Sequence, residues 1–244
     1  MDGKQTLRRI AAVKVIILAA GRGSRMGLGT SERPKCLTTF RGKPLIEWTL
    51  DNLALSVPKE DIFLIVGYKA PALEYLGIKS IENKNWSSTN IVGSLRVAKD
   101  LLIHSDCLIL YSDVFTDPSS IDCILASNGP SVLSVNNWRE IWSRRFIDPL
   151  HDLETFKYDQ ETMHLLEIGS RSSTLDDIQG QFGGIFRMTP EVWIKLEGLN
   201  VDLDSLDVTS LIQKCLNLGI VFEVAKYEGE WVEIDSLSDL EFLE

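Results

Sequence analysis

Residues 13–35, VKVIILAAGRGSRMGLGTSERPK, contain the pattern that decides the fold. The stretch Val13–Ala20 is short, apolar and rich in valine and isoleucine, which is typical of a strand buried on both faces of a parallel sheet. Gly21 and Gly23 follow, and they let the backbone turn sharply and approach a ligand with no side chain in between. Exposed backbone N–H groups in such a turn form a concave anion site. The sequence therefore predicts a strand that runs into a phosphate-binding turn.

Two cationic side chains, Arg25 and Lys35, accompany this turn, and both suit phosphate oxygens. A glycine-rich turn can also be only a tight connection between two elements. The dinucleotide fingerprint G-x-G-x-x-G does not fit, because Met26 stands at the third glycine, and the phosphate loop G-x-x-x-x-G-K-[ST] does not occur in the sequence. The turn and its two cations together predict the binding and reaction of a nucleoside triphosphate.

Strands and helices alternate over the first half of the chain. Alternating βαβ units with short buried strands predict an α/β fold, Rossmann-like and doubly wound, with a mostly parallel sheet. The predicted strands are Val13–Ala20, Ile62–Tyr68, Cys107–Tyr111 and Ser131–Val135, and the predicted helices are Pro44–Ser56, Ile91–Leu102 and Ser119–Ala126.

The second half begins with a polar, irregular segment, residues 136–182, in which we predict an inserted antiparallel hairpin on the acceptor side of the site. We interpret residues 1–244 as a single domain that includes this insertion. Beyond it we predict a core strand at Gly184–Met188, a short helix from Pro190, a helix at Val208–Leu218, strands at Val221–Ala225 and Trp231–Ile234, and a last helix at Leu237–Glu244.

The composition excludes several classes of partner. The 244 residues carry a formal net charge of −10, which argues against a nucleic-acid surface. The four cysteines have no metal-binding spacing. No apolar run is long enough to span a membrane, and the polar, basic start predicts no secretory signal, so we expect a cytoplasmic protein. A homodimer remains open.

Carboxylates follow two of the predicted strands. Asp113 stands at the tip of Cys107–Tyr111, and strand alternation places Glu233 and Asp235 on one face of the strand near Trp231. Ligands of open parallel sheets bind beyond the carboxyl ends of the strands. Asp113 and Asp235 can each be a simple turn or helix cap. As a pair at one rim, they predict a Mg²⁺ site, since Mg²⁺ takes carboxylates together with substrate phosphates.

The segment before the second predicted helix contains Thr89 and Asn90, whose side chains offer donors and acceptors for the edge of a base. The alternative interpretation is that they only cap the helix.

From Val13 to Glu244 the chain resembles the sugar-nucleotidyltransferase-like superfamily, and most of all the bacterial CTP-dependent cytidylyltransferases of the phosphocholine and 2-aminoethylphosphonate type. The resemblance implies a Rossmann-like fold and a Mg²⁺-dependent reaction in which an acceptor phosphate replaces the pyrophosphate of CTP. Four motifs carry it: Gly23-Ser24-Arg25-Met26, Thr89-Asn90-Ile91 with Ser94-Leu95, Asp207-Val208-Thr209-Ser210-Leu211, and Trp231-x-Glu233-Ile234-Asp235 with Asp239-Leu240.

The resemblance also implies roles for individual residues. Arg25 and Lys35 would be catalytic, and Asp113 and Asp235 would hold Mg²⁺. Leu28 replaces a proline usual in the sugar-phosphate enzymes, which argues against a sugar-1-phosphate uridylyl- or thymidylyltransferase. That activity and a non-catalytic nucleotide-sensing domain remain the alternatives. The implied nucleotide-binding residues are Leu18, Ala19, Ala20, Gly21, Gly23, Ser24, Thr89, Asn90 and Ser94.

The acceptor is the least determined part of the site. Aromatic and acidic residues of the insertion suit a cationic head group. Arginines in the same stretch suit a second anion, and ordinary packing with a solvated charged face is a further alternative. The candidate acceptor residues are Trp138, Arg139, Arg144, Phe182 and Glu233.

Overall fold

Seven strands form the central sheet of the protein, for which a computed structural model describes residues 13–199, 201–236 and 239–240. Three two-stranded pieces accompany the sheet. The strands of the described part are β1 (Lys14–Ala19), β2 (Thr39–Phe40), β3 (Lys43–Pro44), β4 (Ile62–Val66), β5 (Lys79–Glu82), β6 (Cys107–Tyr111), β7 (Val114–Thr116), β8 (Ser131–Val135), β9 (Glu154–Tyr158), β10 (Leu165–Arg171), β11 (Gln181–Met188), β12 (Glu223–Tyr227) and β13 (Trp231–Glu233).

The helices lie between these strands in the βα order that the sequence predicts. The α-helices of the described part are α1 (Leu45–Leu53), α2 (Ile91–Arg96), α3 (Lys99–Leu102), α4 (Ser119–Leu125), α5 (Trp138–Arg145), α6 (Pro190–Glu197) and α7 (Val208–Asn217).

The order of strands in the sheet is β12-β8-β11-β6-β1-β4-β5, and only β11 runs antiparallel to its neighbours. This topology confirms the predicted mostly parallel α/β sheet. β1 and β6 are adjacent and parallel, with Leu18 opposite Tyr111. The turn after β1 and the residues after β6 therefore emerge side by side at one rim of the sheet, where ligands of open α/β sheets bind.

Both faces of the sheet are covered, as the apolar composition of β1 predicts. Ile16 and Ile17 are successive residues that point to opposite faces, and both are fully buried. Ile17 packs in a cluster with Ile46 of α1, whereas Ile16 packs with Leu95 of α2 and Leu211 of α7. The sheet is thus doubly wound, and the rim beyond its strands is left open to a ligand.

Several boundaries differ from those predicted. The predicted helix Ile91–Leu102 is two helices, because Ala98 departs from helical geometry, at φ −91° and ψ 23°. Helix α1 ends at Leu53 rather than Ser56. Strand β12 begins at Glu223 rather than at the half-exposed Val221. The edge strand Lys79–Glu82 was not predicted, because its side chains are mostly exposed and show no apolar pattern.

The segment 136–182 contains the predicted antiparallel hairpin, formed by β9 and β10. It also contains α5, a helix that sequence analysis treated as irregular because most of its residues are polar. Its tryptophans, Trp138 and Trp142, are buried in the core and anchor the helix. The last predicted helix, Leu237–Glu244, lies outside the described residues except for Asp239 and Leu240. Within the described ranges, no helix has the length and apolar character needed to cross a membrane.

Candidate active site

The turn after β1 is closed by hydrogen bonds to one carbonyl. The carbonyl oxygen of Gly23 accepts from the N–H of Met26 at 3.0 Å and from the hydroxyl of Thr30 at 3.0 Å. Gly23 has a φ of +71°, a conformation that favours glycine. A Cβ atom on Gly23 would lie only 2.6 Å from the Cβ of Lys35. The turn is therefore packed directly on the stem of Lys35, and glycine is required there for both reasons.

Gly23→Ala is expected to lower the free energy of unfolding by roughly 2–4 kcal/mol, because it combines backbone strain with overpacking. It should also displace Lys35 and lower turnover. Chemical denaturation measures the first effect. Gly21→Ala is the matched control for stability, since a Cβ atom at Gly21 meets nothing within 4 Å. Equal stability of the two variants would contradict the packing argument.

Lys35 lies at the centre of a cluster of charges. Its Nζ is 2.5 Å from Oδ2 of Asp113 and 2.5 Å from Oδ1 of Asp235, and Nη2 of Arg25 is 3.0 Å from the same Asp235 oxygen. The side chain of Lys35 is 10% exposed, whereas that of Arg25 is 72% exposed. Burial lowers the pKa of Lys35, but the two carboxylates outweigh burial and raise it overall. Lys35 is therefore a fixed cation at this rim.

The two aspartates come from different strands. Asp113 follows β6, and Asp235 follows β13, which pairs with β7. The N–H of Ile234 donates to the carbonyl of Asp113 at 3.1 Å and ties the two segments together. The carboxylate of Asp239, not that of Asp235, accepts from the N–H groups of residues 235 and 236. The carboxylate of Asp235 faces the cations Arg25 and Lys35.

Glu233 lies behind this cluster. Burial, together with the nearby charges of Asp235 and Asp113, raises the pKa of Glu233 to about 8. Within the described residues, its carboxylate takes part in no ion pair. Glu233 is therefore an acid at this rim that keeps its proton near neutral pH and forms no ion pair with a described residue.

The rim opens into a cleft of about 350 Å³, which we call the nucleotide cleft. Most of the residues predicted to bind nucleotide line it, but two do not. Ala19 is buried on the opposite face of β1, and Ser24 is exposed beside the cleft. The predicted residues that line the cleft are Leu18, Ala20, Gly21, Gly23, Arg25, Lys35, Thr89, Asn90, Ser94, Asp113, Glu233 and Asp235.

The far wall of the nucleotide cleft is organised by a residue that sequence analysis missed. Asn83 is buried, and its Nδ2 donates to Thr89 Oγ1 at 2.9 Å and to Ser94 Oγ at 3.0 Å. Asn90 caps α2, since its Oδ1 accepts from the N–H of Ile91, as the capping interpretation predicts. Asn90 also lines the cleft, so capping and exposure to a ligand are combined in one side chain.

Five further residues line the nucleotide cleft and were not among the predicted site residues: Trp86, Ile91, Tyr111, Ser112 and Asp207. The ring of Trp86 meets that of Tyr68 edge-on, with 5.2 Å between centroids. Asp207 caps α7 by accepting from the N–H of Ser210. Tyr111 ends β6, directly before the Ser112-Asp113 pair. Its position at a strand tip is the signal that could have identified it.

A second cleft of about 240 Å³ lies between α5 and β13, and Glu233 lines both clefts. Arg144, one of the candidate acceptor residues, lines the second cleft. The remaining lining residues are Asn137, Glu140, Ile141, Arg145, Glu230, Trp231, Val232 and Asp239.

Three candidate acceptor residues lie outside both clefts. Trp138 is buried in the core. Arg139 lies over the Trp138 ring and donates to the carbonyl of Leu175. Phe182 packs edge-on against Tyr111, with 5.8 Å between centroids. Packing explains the aromatic residues of this group, and the structure does not bring them to the acceptor side of the cleft.

The mostly parallel sheet, with a glycine turn, two cations and two carboxylates at one rim, matches the α/β nucleotidyltransferase fold. The chain belongs to the MobA-like NTP transferase domain family, whose model matches residues 15–171.

Several known proteins that are similar to this chain are named for the use of CTP or the formation of a CMP-linked product. The CTP:phosphoglutamine cytidylyltransferase of Campylobacter jejuni is 29% identical over 94% of this chain and 98% of its own length. The CMP-5'-(3-aminopropyl)phosphonate synthase of Streptomyces rubellomurinus is 34% identical over 51% of this chain and 21% of its own length. The structure of CTP:phosphocholine cytidylyltransferase from Streptococcus pneumoniae has a TM-score of 0.72 at 21% identity, covering 96% of this chain and 98% of that one, which shows the shared fold.

Proposed function

We propose that this protein is a CTP-dependent cytidylyltransferase that joins CMP to a small phosphorylated or phosphonate acceptor and releases pyrophosphate. The observation that carries the proposal is the position of Lys35, held between Asp113 and Asp235 beside a glycine turn that lines a nucleotide-sized cleft. The activities named for the similar proteins support cytidylyl transfer in particular.

In the proposed reaction, an oxygen of the acceptor phosphate attacks the α-phosphorus of CTP in line with the leaving group. The new oxygen–phosphorus bond forms as the bond from the α-phosphorus to the bridging oxygen breaks, and that oxygen leaves with pyrophosphate. The turn after β1 holds the triphosphate through backbone N–H groups, while Arg25 and Lys35 neutralise charge that grows on the leaving group. No covalent enzyme intermediate is required.

Mg²⁺ fits the donor set of this rim. Asp113 and Asp235 converge on one cation, the Lys35 ammonium, so the fold already stabilises positive charge between them. No cluster of three or more metal-ligating side chains occurs among residues 13–199, 201–236 and 239–240. Two carboxylates are nevertheless enough for Mg²⁺, which completes its shell with phosphates and water. When bound, Mg²⁺ would neutralise phosphate charge and orient the triphosphate.

The cytosine base is placed in this proposal against the wall formed by Trp86, Thr89, Asn90 and Ser94. Trp86 offers an indole surface, and the three polar side chains offer both donors and acceptors to a base edge. The hydrogen bonds from Asn83 fix Thr89 and Ser94 in place, so this wall is formed before the nucleotide binds.

The test is pyrophosphate release from CTP, UTP, ATP and GTP, each with a panel of acceptors and Mg²⁺. We expect turnover with CTP and with small phosphate or phosphonate acceptors. A preference for UTP or dTTP with glucose-1-phosphate would identify a sugar nucleotidyltransferase instead. If no pair of nucleotide and acceptor releases pyrophosphate, but calorimetry shows that a nucleotide binds, the protein is a nucleotide sensor. The metal dependence is tested by adding a chelator and then restoring Mg²⁺.

A further inference from the structure

The second cleft adjoins the nucleotide cleft through Glu233, which lines both. An acceptor whose phosphate lies in the nucleotide cleft can therefore extend its other end past Glu233 towards α5. The second cleft measures about 240 Å³, which suits the end group of a small molecule rather than a whole nucleotide. Its charged groups should decide which end group is accepted.

Most charges of the second cleft are already paired. Arg145 donates to Asp239 at 3.0 Å, and both side chains are only 12% exposed. Arg144 lies 2.6 Å from Glu140, with both side chains largely exposed. Glu230 binds Arg41, outside the cleft lining, through two hydrogen bonds. An exposed pair such as Arg144–Glu140 contributes little to stability, so Arg144 can exchange this partner for a ligand.

Two groups of opposite character in this wall are available to a ligand. Glu233 forms no ion pair with a described residue, and Arg144 is held only by the exposed Glu140. Arg145 is not available in the same way, because it is paired with Asp239 and its Nη1 is buried. A purely cationic end group would leave Arg144 unused, and a purely anionic one would bring no cation to Glu233. A ligand with both charges satisfies both sides.

Resting on the proposed cytidylyl transfer, we infer that the second cleft selects an acceptor with a zwitterionic, α-amino-acid end group. The carboxylate of the acceptor binds the guanidinium group of Arg144, and its ammonium group lies against Glu233. Arg144 is then a specificity-determining residue for a ligand group remote from the reacting phosphate.

The test is calorimetric titration of the whole protein, with Mg²⁺ and a non-hydrolysable CTP analogue present, by three acceptors that differ in one group each. O-phosphoserine has both charges, phosphoethanolamine lacks the carboxylate, and 3-phosphoglycerate has a hydroxyl in place of the ammonium. O-phosphohomoserine tests a longer chain. We expect a phosphoserine-type acceptor to bind at least about tenfold more tightly than either single-charge compound, as a charge-assisted hydrogen bond predicts.

The variant Arg144→Ala should reduce affinity for the zwitterionic acceptors by about tenfold and leave that for phosphoethanolamine within about twofold. Arg144 is exposed, so this variant should fold. Arg171→Ala is the matched control, because Arg171 is an exposed arginine bonded to the carbonyl of His151, outside both clefts. We expect it to bind all acceptors normally.

Equal binding of the three acceptors by the unaltered protein, or an equal loss for all of them in Arg144→Ala, would overturn the inference. Pyrophosphate release with the same acceptors separates this result from a failure of the proposed function. Selective binding without turnover would refute the reaction but keep the end-group specificity. Turnover without selective binding would support the reaction and refute the end-group specificity.

Discussion

Asp113→Asn and Asp235→Asn are each expected to reduce turnover with CTP by roughly a thousandfold or more. The two carboxylates are the groups proposed to hold Mg²⁺, and they also hold Lys35 from either side at 2.5 Å. An amide of the same shape keeps the packing and removes the charge. Steady-state pyrophosphate release at saturating CTP and Mg²⁺ measures the effect.

Stability should change much less than activity in these two variants. Lys35 keeps one carboxylate partner in each of them, so we expect the free energy of unfolding to change by less than about 2 kcal/mol. Asp106→Asn is the control, because it should affect stability rather than activity. Asp106 precedes β6 at its other end and binds the buried Arg187 at 2.6 Å. Its loss should lower stability and leave turnover nearly normal. Near-normal turnover in Asp113→Asn or Asp235→Asn would show that the residue has only a structural role.

The main features of the fold were predictable because they depend on local patterns. The apolar run of β1, buried on both faces, requires a sheet covered on both sides, and the alternation of elements then fixes the parallel order. The place of Asp113 was predictable for a related reason. Strand tips of a parallel sheet share one rim, so Asp113 could be expected beside the turn after β1. Asp235 follows β13, which pairs with β7 outside the central sheet, and its ion pair with Lys35 was not predicted.

What could not be predicted depends on packing between distant segments. Asn83 shows no motif, and its importance comes from hydrogen bonds to Thr89 and Ser94. Helix α5 looks like a polar loop in the sequence, because most of its residues are polar and only its two tryptophans are buried. For the same reason, Trp138 was interpreted as an acceptor residue although it is buried. In each of these cases, the role of the residue depends on a contact with a distant segment of the chain.

Lys35→Met is expected to lower kcat by roughly a hundredfold to a thousandfold, with a smaller change in KM for CTP. Methionine keeps the apolar stem that packs under Gly23 and removes the ammonium group. If Lys35 neutralises charge that grows on the leaving pyrophosphate, its loss acts on the transition state more than on the bound ground state. A change confined to KM would instead mean that Lys35 binds substrate and transition state equally.

A second measurement on Lys35→Met does not depend on activity. In the unaltered protein the Lys35 ammonium fills the space between Asp113 and Asp235, and without it these carboxylates face each other with no cation between them. Mg²⁺ added in the absence of nucleotide should therefore raise the melting temperature of Lys35→Met more than that of the unaltered protein, because binding to the folded state stabilises it. Arg25→Ala is the comparison, since Arg25 is largely exposed and contacts only Asp235 of the pair. Its melting temperature should respond to Mg²⁺ as the unaltered protein does. An equal response in all three proteins would mean that Lys35 and Mg²⁺ do not compete for the two aspartates.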